Sequence, residues 1–95
     1  FLSMNIYAQT QRIEVLGMVC AFCAQGIEKS FSSDENIKDV FVNLENYFVV
    51  IESRDGKSID EKYITTIITD AGYDVQQIEV VSDSVSEIRE KYGAN

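Results

Sequence analysis

Short alternations of hydrophobic and polar residues divide the chain, and this pattern predicts β-strands. In the first alternation Ile13 and Val15 share one side. In the second, Asp39 and Asn43 share the polar side, on which Phe41 is an exception. The predicted strands, in chain order, are Arg12–Leu16, Ile37–Leu44, Tyr47–Glu52 and Tyr73–Val81.

Two other stretches repeat apolar residues at every third or fourth position, which is typical of helices with one buried side. Ala21–Phe31 shows this spacing, and a second helix is expected between Ser58 and Gly72. Ser58 and Glu61 have the spacing of a capping box at its start, and Gly72 is expected to end it in the left-handed conformation. The predicted apolar face of this helix consists of Tyr63, Ile64, Ile67, Ile68 and Ala71.

The resulting order, β-α-β-β-α-β, predicts a ferredoxin-like α/β sandwich. In this architecture two helices cover one face of a four-stranded antiparallel sheet. The other face is therefore expected to stay open to solvent, with Phe41 and one of Tyr47 and Phe48 on it. The chain has 95 residues, enough for one domain with one modest core. A deep catalytic cleft does not fit this size, so we expect no enzymatic activity.

Both ends of the chain lie outside the predicted domain, which is assigned to residues 11–81. Residues 1–10 resemble the tail of a secretory signal peptide with cleavage near Ala8, or form an N-terminal extension. A signal peptide would place the protein in the periplasm or another exported compartment, and the alternative is the cytoplasm. Residues 82–95 form an acidic tail that is either frayed or folded as a short helix. The apolar residues of that helix would be Val85, Ile88 and Tyr92.

The charge balance narrows the choice of partners. Sixteen acidic and eight basic residues give a net charge of −8 at pH 7. Nucleic acid and anionic membrane surfaces would repel such a chain. No apolar run is long enough to cross a bilayer, so we expect no membrane insertion of the domain. The acidity fits a solvated surface or contact with a basic partner protein.

Candidate chemistry is concentrated in one segment, Gly17–Cys23, which reads Gly-Met-Val-Cys-Ala-Phe-Cys. It falls where the first predicted strand ends and the first predicted helix begins. Cys23 is expected in the first turn of that helix, and Cys20 just before it. Unpaired backbone N–H groups and the positive end of the helix dipole favour thiolates at this position. Both thiols are therefore expected to ionise readily and bind metal.

The ligand set restricts the metal. A closed structural zinc site takes four protein ligands, whereas this chain has two cysteines and no histidine. Soft thiolates select Cu(I), with Ag(I) and Hg(II) as alternatives, because these ions accept low coordination numbers. An open coordination position would let a partner's cysteine attack and remove the ion. The sequence therefore predicts binding of a soft metal ion by Cys20 and Cys23 and its transfer by thiolate exchange, either as a monomer or as a metal-bridged dimer.

A thiol–disulfide oxidoreductase is the alternative from a different class, because thioredoxin-like proteins also place C-x-x-C at a helix N-terminus. Those proteins rely on a cis-proline beside the disulfide and usually have a tryptophan before the first cysteine. This chain contains neither proline nor tryptophan. A third hypothesis is a regulatory or interaction module in which the metal site is secondary.

Three segments, in order, resemble the heavy-metal-associated domain family. Gly17–Cys23 matches its G-M-x-C-x-x-C loop, Val40–Glu45 is similar to its V-x-V-N-L-E strand, and Asp70–Asp74 is similar to the A-G-Y turn before its last strand. The resemblance extends over about Gln11–Val80. The family includes copper chaperones, amino-terminal domains of copper-transporting P-type ATPases and periplasmic mercury-binding proteins.

The resemblance implies a role for several residues. Cys20 and Cys23 become the metal ligands, Met18 an apolar anchor beneath the loop, and Tyr73 a neighbour of the site. It also implies a metallochaperone or carrier function, with a P-type ATPase or another C-x-x-C protein as the exchange partner. Mercury detoxification would use the same two ligands.

Two positions of the loop depart from the family pattern. Val19 stands where threonine or histidine is usual, and Phe22 replaces a small residue between the two cysteines. Phe22 is expected to add an exposed apolar surface at the rim of the site, where it could contact a partner.

Overall fold

The computed structural model describes residues 9–17, 21–54, 57 and 59–92, and for Ala21 and Cys23 the backbone alone. The described elements are β1 Thr10–Leu16, α1 Ala21–Ser32, β2 Ile37–Asn43, β3 Phe48–Ser53, α2 Glu61–Asp70, β4 Asp74–Val81 and α3 Val85–Tyr92. The strands form one antiparallel sheet in the order β2-β3-β1-β4. This confirms the predicted ferredoxin-like architecture.

The main core lies between the sheet and the helices α1 and α2. Alternation along β1 points Ile13 and Val15 towards the helices, and both side chains are fully buried. Ala24, Ile27 and Phe31 meet them from α1, as their spacing predicts. Burial of these side chains is the main source of stability for a domain of this size.

A β-bulge in β4 breaks the simple alternation. Glu14 pairs with Gln77 and Val15 pairs with Val75, so Gln76 is an extra residue in the ladder. Because of this extra residue, Val75 and Ile78 both pack against the main core although they are three positions apart. The bulge adjoins the end of β1 and therefore the segment that precedes the two cysteines.

Val80, near the end of β4, is 60% exposed. Alternation does place Val80 on the helix-facing side, opposite Gln11. However, β4 is an edge strand and Val80 lies near its end, where no helix covers it.

The start of α2 differs from the predicted capping box. Asp60 is the N-cap, and its carboxylate accepts a hydrogen bond from the Lys62 N–H at 3.2 Å. Aspartate caps a helix as well as serine does, and here it stands directly before Glu61, the first helical residue. The assignment of the cap to Ser58 is therefore wrong, and Ser58 itself lies outside the described residues.

The apolar face of α2 is narrower than predicted. Ile64 and Ile68 are fully buried and Ile67 packs against the same core. Tyr63 and Ala71 are exposed. Tyr63 lies near Asp34, and the pKa of Tyr63 is raised, chiefly by side-chain hydrogen bonding to this carboxylate. Tyr63 thus joins α2 to the turn after α1 instead of entering the core.

Gly72 ends α2 with a positive φ of 95°, as predicted. Replacing it with alanine is expected to lower the free energy of unfolding by about 1–2 kcal/mol, because L-residues are strained there. Gly26, within α1, is the matched control, since a Cβ would meet open space at both positions. Gly26→Ala should instead stabilise the protein by about 0.5–1 kcal/mol. Urea unfolding measures the free energy of unfolding of both variants. Equal changes in the two would contradict the left-handed conformation of Gly72.

The second face of the sheet is not open to solvent, contrary to the prediction. α3 packs on it, mainly against β2 and β3. Phe41, Phe48 and Val50 from the strands meet Val85 and Ile88 from α3, and all five are buried. Phe41 is therefore not an exposed exception to the alternation in β2 but part of a second, smaller core. The acidic tail supplies this cover through α3.

Polar contacts hold α3 at its start. The Ser84 hydroxyl accepts a hydrogen bond from the Glu87 N–H, and the Glu87 carboxylate accepts one from the Ser84 N–H. These two reciprocal bonds form a capping box, with the same residue spacing as the one predicted for Ser58 and Glu61 at α2. The Glu52 carboxylate from β3 accepts a further bond from the Val85 N–H at 3.1 Å.

A bidentate ion pair holds the middle of α3. Both terminal nitrogens of Arg89 reach the Asp39 carboxylate, the shorter contact being 2.9 Å. Arg89 also donates to the Val40 carbonyl at 3.1 Å, and the pKa of Arg89 is raised, chiefly by its hydrogen bond to Asp39. The Asp39 carboxylate in turn accepts from the Val40 N–H. The backbone N–H and carbonyl of Val40 are thus both hydrogen-bonded, although β2 is an edge strand.

Candidate metal site

The loop predicted to carry the metal connects β1 to α1. Gly17 follows β1 with a positive φ of 78°, a conformation that glycine adopts readily and that turns the chain out of the strand. α1 begins at Ala21, so the backbone of Cys23 is in its first turn, where the sequence placed it. Met18, Val19, Cys20 and the side chain of Cys23 lie outside the described residues, and the ligand pair stays a prediction.

The helix N-terminus explains why thiolates are favoured here. The first N–H groups of α1 have no carbonyl partner within the helix, and the helix dipole places partial positive charge at the same point. No acidic residue stands in the first turn of α1 to compete for this charge. The arrangement therefore suits two anionic sulfur ligands at positions 20 and 23.

The β2–β3 hairpin is anchored beside this loop. The Val15 N–H donates to the Tyr47 carbonyl at 2.9 Å, which fixes the hairpin to the end of β1. Tyr47 adopts a left-handed conformation with φ of 57°. A cavity of about 420 Å³ lies at this junction, lined by Glu14, Val15, Leu16, Gly17, Asn46, Tyr47 and Gln76.

Three large apolar side chains are exposed at this end of the molecule. Phe22 is 82% exposed, as predicted. Leu16 and Tyr47 are 58% and 47% exposed and were not singled out from the sequence. The available signal was the alternation in β1, which sets Leu16 opposite to Ile13 and Val15. Tyr73, predicted beside the site, is half-buried and packs against the main core.

The charges around the loop are acidic. Residues 43–47 and 70–74, the segments that flank the end of β1, contain three acidic residues and no lysine or arginine. These acids are Glu45, Asp70 and Asp74.

Other features of the described residues do not provide a competing site. Within residues 9–17, 21–54, 57 and 59–92, no three His, Cys, Asp or Glu side chains are grouped so that they could hold a metal ion. None of the helices in the described part is long and apolar enough to cross a membrane.

Known proteins resemble the chain over about two thirds of its length. It is 34% identical to the copper chaperone CopZ of Bacillus subtilis over 67 residues, which cover 70% of this chain and 96% of CopZ. It is 40% identical over 63 residues to a probable copper-exporting P-type ATPase of Archaeoglobus fulgidus, 66% of this chain but 8% of the ATPase. No model of a protein family matches the chain.

A solved structure agrees with these relatives. The crystal structure of oxidized MerP from Ralstonia metallidurans superposes with a TM-score of 0.61 and 32% identity, covering 74% of this chain and 99% of MerP. The fold and the candidate site thus define a small metal-binding domain. The chain belongs to the heavy-metal-associated domain family, as its three matching segments predicted.

Family membership settles the general activity. The chain binds and transfers metal ions and is not an enzyme, in agreement with the prediction from its size and motifs. The chain spans almost all of the copper chaperone but only a small part of the ATPase. The activity of a whole ATPase therefore does not follow from the match.

Proposed function

We propose that this chain carries Cu(I) on Cys20 and Cys23 and hands it on by exchange of thiolate ligands. The observation that supports the proposal is the start of α1 at Ala21, the residue after Cys20 in the sequence, with the backbone of Cys23 in the first turn of the helix. Two soft thiolates at such a position suit an ion that accepts two or three ligands. The similarity to a copper chaperone over 96% of that protein supports copper as the ion.

The exchange partner proposed for this chain is a C-x-x-C domain, such as the amino-terminal domain of a copper-transporting P-type ATPase. The similarity to a copper-exporting ATPase and to a copper chaperone supports this choice. Phe22, 82% exposed between the two cysteines, would contact such a partner during transfer. Export of the protein stays a prediction, since it depends on Phe1–Ala8, which lie outside the described residues.

Binding of Hg(II) is the second candidate function, because MerP is similar at 32% identity over nearly its full length. Both ions would use the same two sulfur ligands. A competition between Cu(I) and Hg(II) for the reduced protein would show which ion binds more tightly. Either result would leave the assignment of Cys20 and Cys23 as ligands unchanged.

Transfer kinetics test the carrier mechanism. Cu(I)-loaded protein is mixed, without oxygen, with an excess of a synthetic C-x-x-C peptide, and the loss of Cu(I) is followed over time. Ligand exchange requires a mixed intermediate, so the observed rate constant is expected to rise in proportion to peptide concentration. A rate constant independent of peptide concentration would mean that the ion leaves before capture, and would contradict the mechanism. The same peptide with both cysteines replaced by serine is the control.

A further inference from the structure

α3 covers only half of the second sheet face. Its partners Phe41 and Phe48 lie on β2 and β3, while Val81 at the far end of β4 also packs against the second core. In the strand order β2-β3-β1-β4, the β1–β4 half is therefore uncovered only towards the metal loop. Arg12 marks the border, with its guanidinium 4.3 Å from the centre of the Phe48 ring. The uncovered half is called the acidic half-face below, and it consists of Glu14, Leu16, Asp74, Gln77 and Glu79.

The strand register places these side chains next to one another. Leu16 pairs with Asp74, Glu14 with Gln77, and Arg12 with Glu79. Paired residues in an antiparallel ladder have their side chains on the same face. An exposed leucine is therefore bordered by carboxylates on a surface that no described element covers.

The cavity beside Gly17 extends the acidic half-face towards the hairpin. Leu16 and Tyr47 provide its apolar walls, and Glu14 and Gln76 provide polar ones. At about 420 Å³ it is large enough to receive an apolar side chain of another molecule. Gly17 lines the cavity and is followed directly by the segment Met18–Cys20, so an occupant would lie beside the metal loop.

The charge of this surface identifies the kind of occupant. β4 contains Asp74 and Glu79 and no lysine or arginine. Arg12 is the basic residue on the neighbouring strand β1. Its guanidinium is stacked on Phe48 and lies 3.9 Å from the Glu14 carboxylate. The surface is therefore negative, which disfavours anionic lipid and nucleic acid and favours a basic protein surface.

We infer that the acidic half-face docks the metal-exchange partner, and that this partner presents lysine or arginine residues around an exposed apolar side chain. The apolar side chain would enter the cavity between Leu16 and Tyr47, and the basic residues would face Glu14 and Asp74. The role of the partner in metal exchange rests on the proposed function, whereas the docking itself does not. Because α3 covers the β2–β3 half of this sheet face, the acidic half-face is the part that stays accessible to the partner.

A metal-free footprint by NMR tests the docking. The probe is a synthetic peptide in which lysines surround one phenylalanine and a Ser-x-x-Ser segment replaces the cysteines. A second peptide with glutamate in place of each lysine is its control. The lysine peptide is expected to shift the amide signals of Leu16, Tyr47, Asp74 and Gln77, and to bind more weakly as salt is added.

Matched variants make the test specific to this surface. Leu16→Ser, and separately Glu14→Gln with Asp74→Asn, are expected to weaken binding of the lysine peptide about fivefold. Val80→Ser removes an equally exposed apolar side chain at the far end of β4 and should have no effect. Glu35→Gln with Glu61→Gln, two exposed carboxylates away from the metal loop, is the charge control.

Several outcomes would overturn the proposal. These are a footprint centred on α2 or spread over all acidic surfaces, equal binding of both peptides, or the absence of binding by the lysine peptide. The footprint uses no metal, so it separates the two proposals. A correct footprint on a protein that fails to bind Cu(I) would leave the docking surface standing and reject the carrier function.

Discussion

Phe48→Ala is expected to lower the free energy of unfolding by about 3–5 kcal/mol, because it removes the centre of the second core. Phe48 is 1% exposed. Its ring centre lies 6.3 Å from that of Phe41 and 5.1 Å from that of Tyr92, both in edge-to-face geometry. The Arg12 guanidinium lies over the same ring. A loss of this size is a large share of the roughly 5–15 kcal/mol that stabilises a typical domain.

Phe22→Ala is the control for this substitution, since Phe22 is 82% exposed and the chemical change is identical. Its effect on the free energy of unfolding should stay within about 0.5 kcal/mol. Urea unfolding followed by circular dichroism compares the two variants. Similar small losses for both would mean that α3 does not pack on the sheet, and would contradict the description of the second face.

Oxidation of Cys20 and Cys23 to a disulfide is expected to abolish Cu(I) binding, and reduction is expected to restore it. The disulfide consumes both thiolates, which are the species that bind the metal. The chain has no other cysteine and no histidine to replace them. Cu(I) bound per monomer is measured on oxidised protein, and again after treatment with a phosphine reductant.

The reduced sample also tests the oxidoreductase hypothesis. If the protein is a carrier, it should not turn over a disulfide substrate such as insulin at a rate above that of the free reductant. Retention of tightly bound Cu(I) by the oxidised protein would contradict the assignment of both cysteines as ligands. Catalytic reduction of insulin would favour the oxidoreductase hypothesis instead.

The main fold could be predicted from the sequence because its elements have strong and regular patterns. The alternation of Ile13 and Val15 and the helical spacing of Ala24, Ile27 and Phe31 depend only on one buried side per element. The start of α1 at Ala21 followed from the change of pattern at Gly17. These are local signals, and the tertiary structure agrees with them.

The remaining features depend on contacts between distant segments. Phe41 looked exposed because its cover, α3, lies more than forty residues further along the chain. The Ser84–Glu87 capping box has the same spacing as Ser58 and Glu61, and spacing alone could not choose between them. The bulge at Gln76 arises from the pairing of β4 with β1. The acidic half-face could not be foreseen either, because it exists only where α3 ends its cover.

A Cu(I) titration tests the central claim most directly. Reduced protein is titrated without oxygen in competition with a strong Cu(I) chelator, beside the Cys20→Ser/Cys23→Ser variant. The account predicts one tightly held Cu(I) per monomer in the natural sequence, or one ion shared by two monomers, and none in the variant. Weak binding, or binding that the variant retains, would contradict the assignment of Cys20 and Cys23 as the Cu(I) ligands.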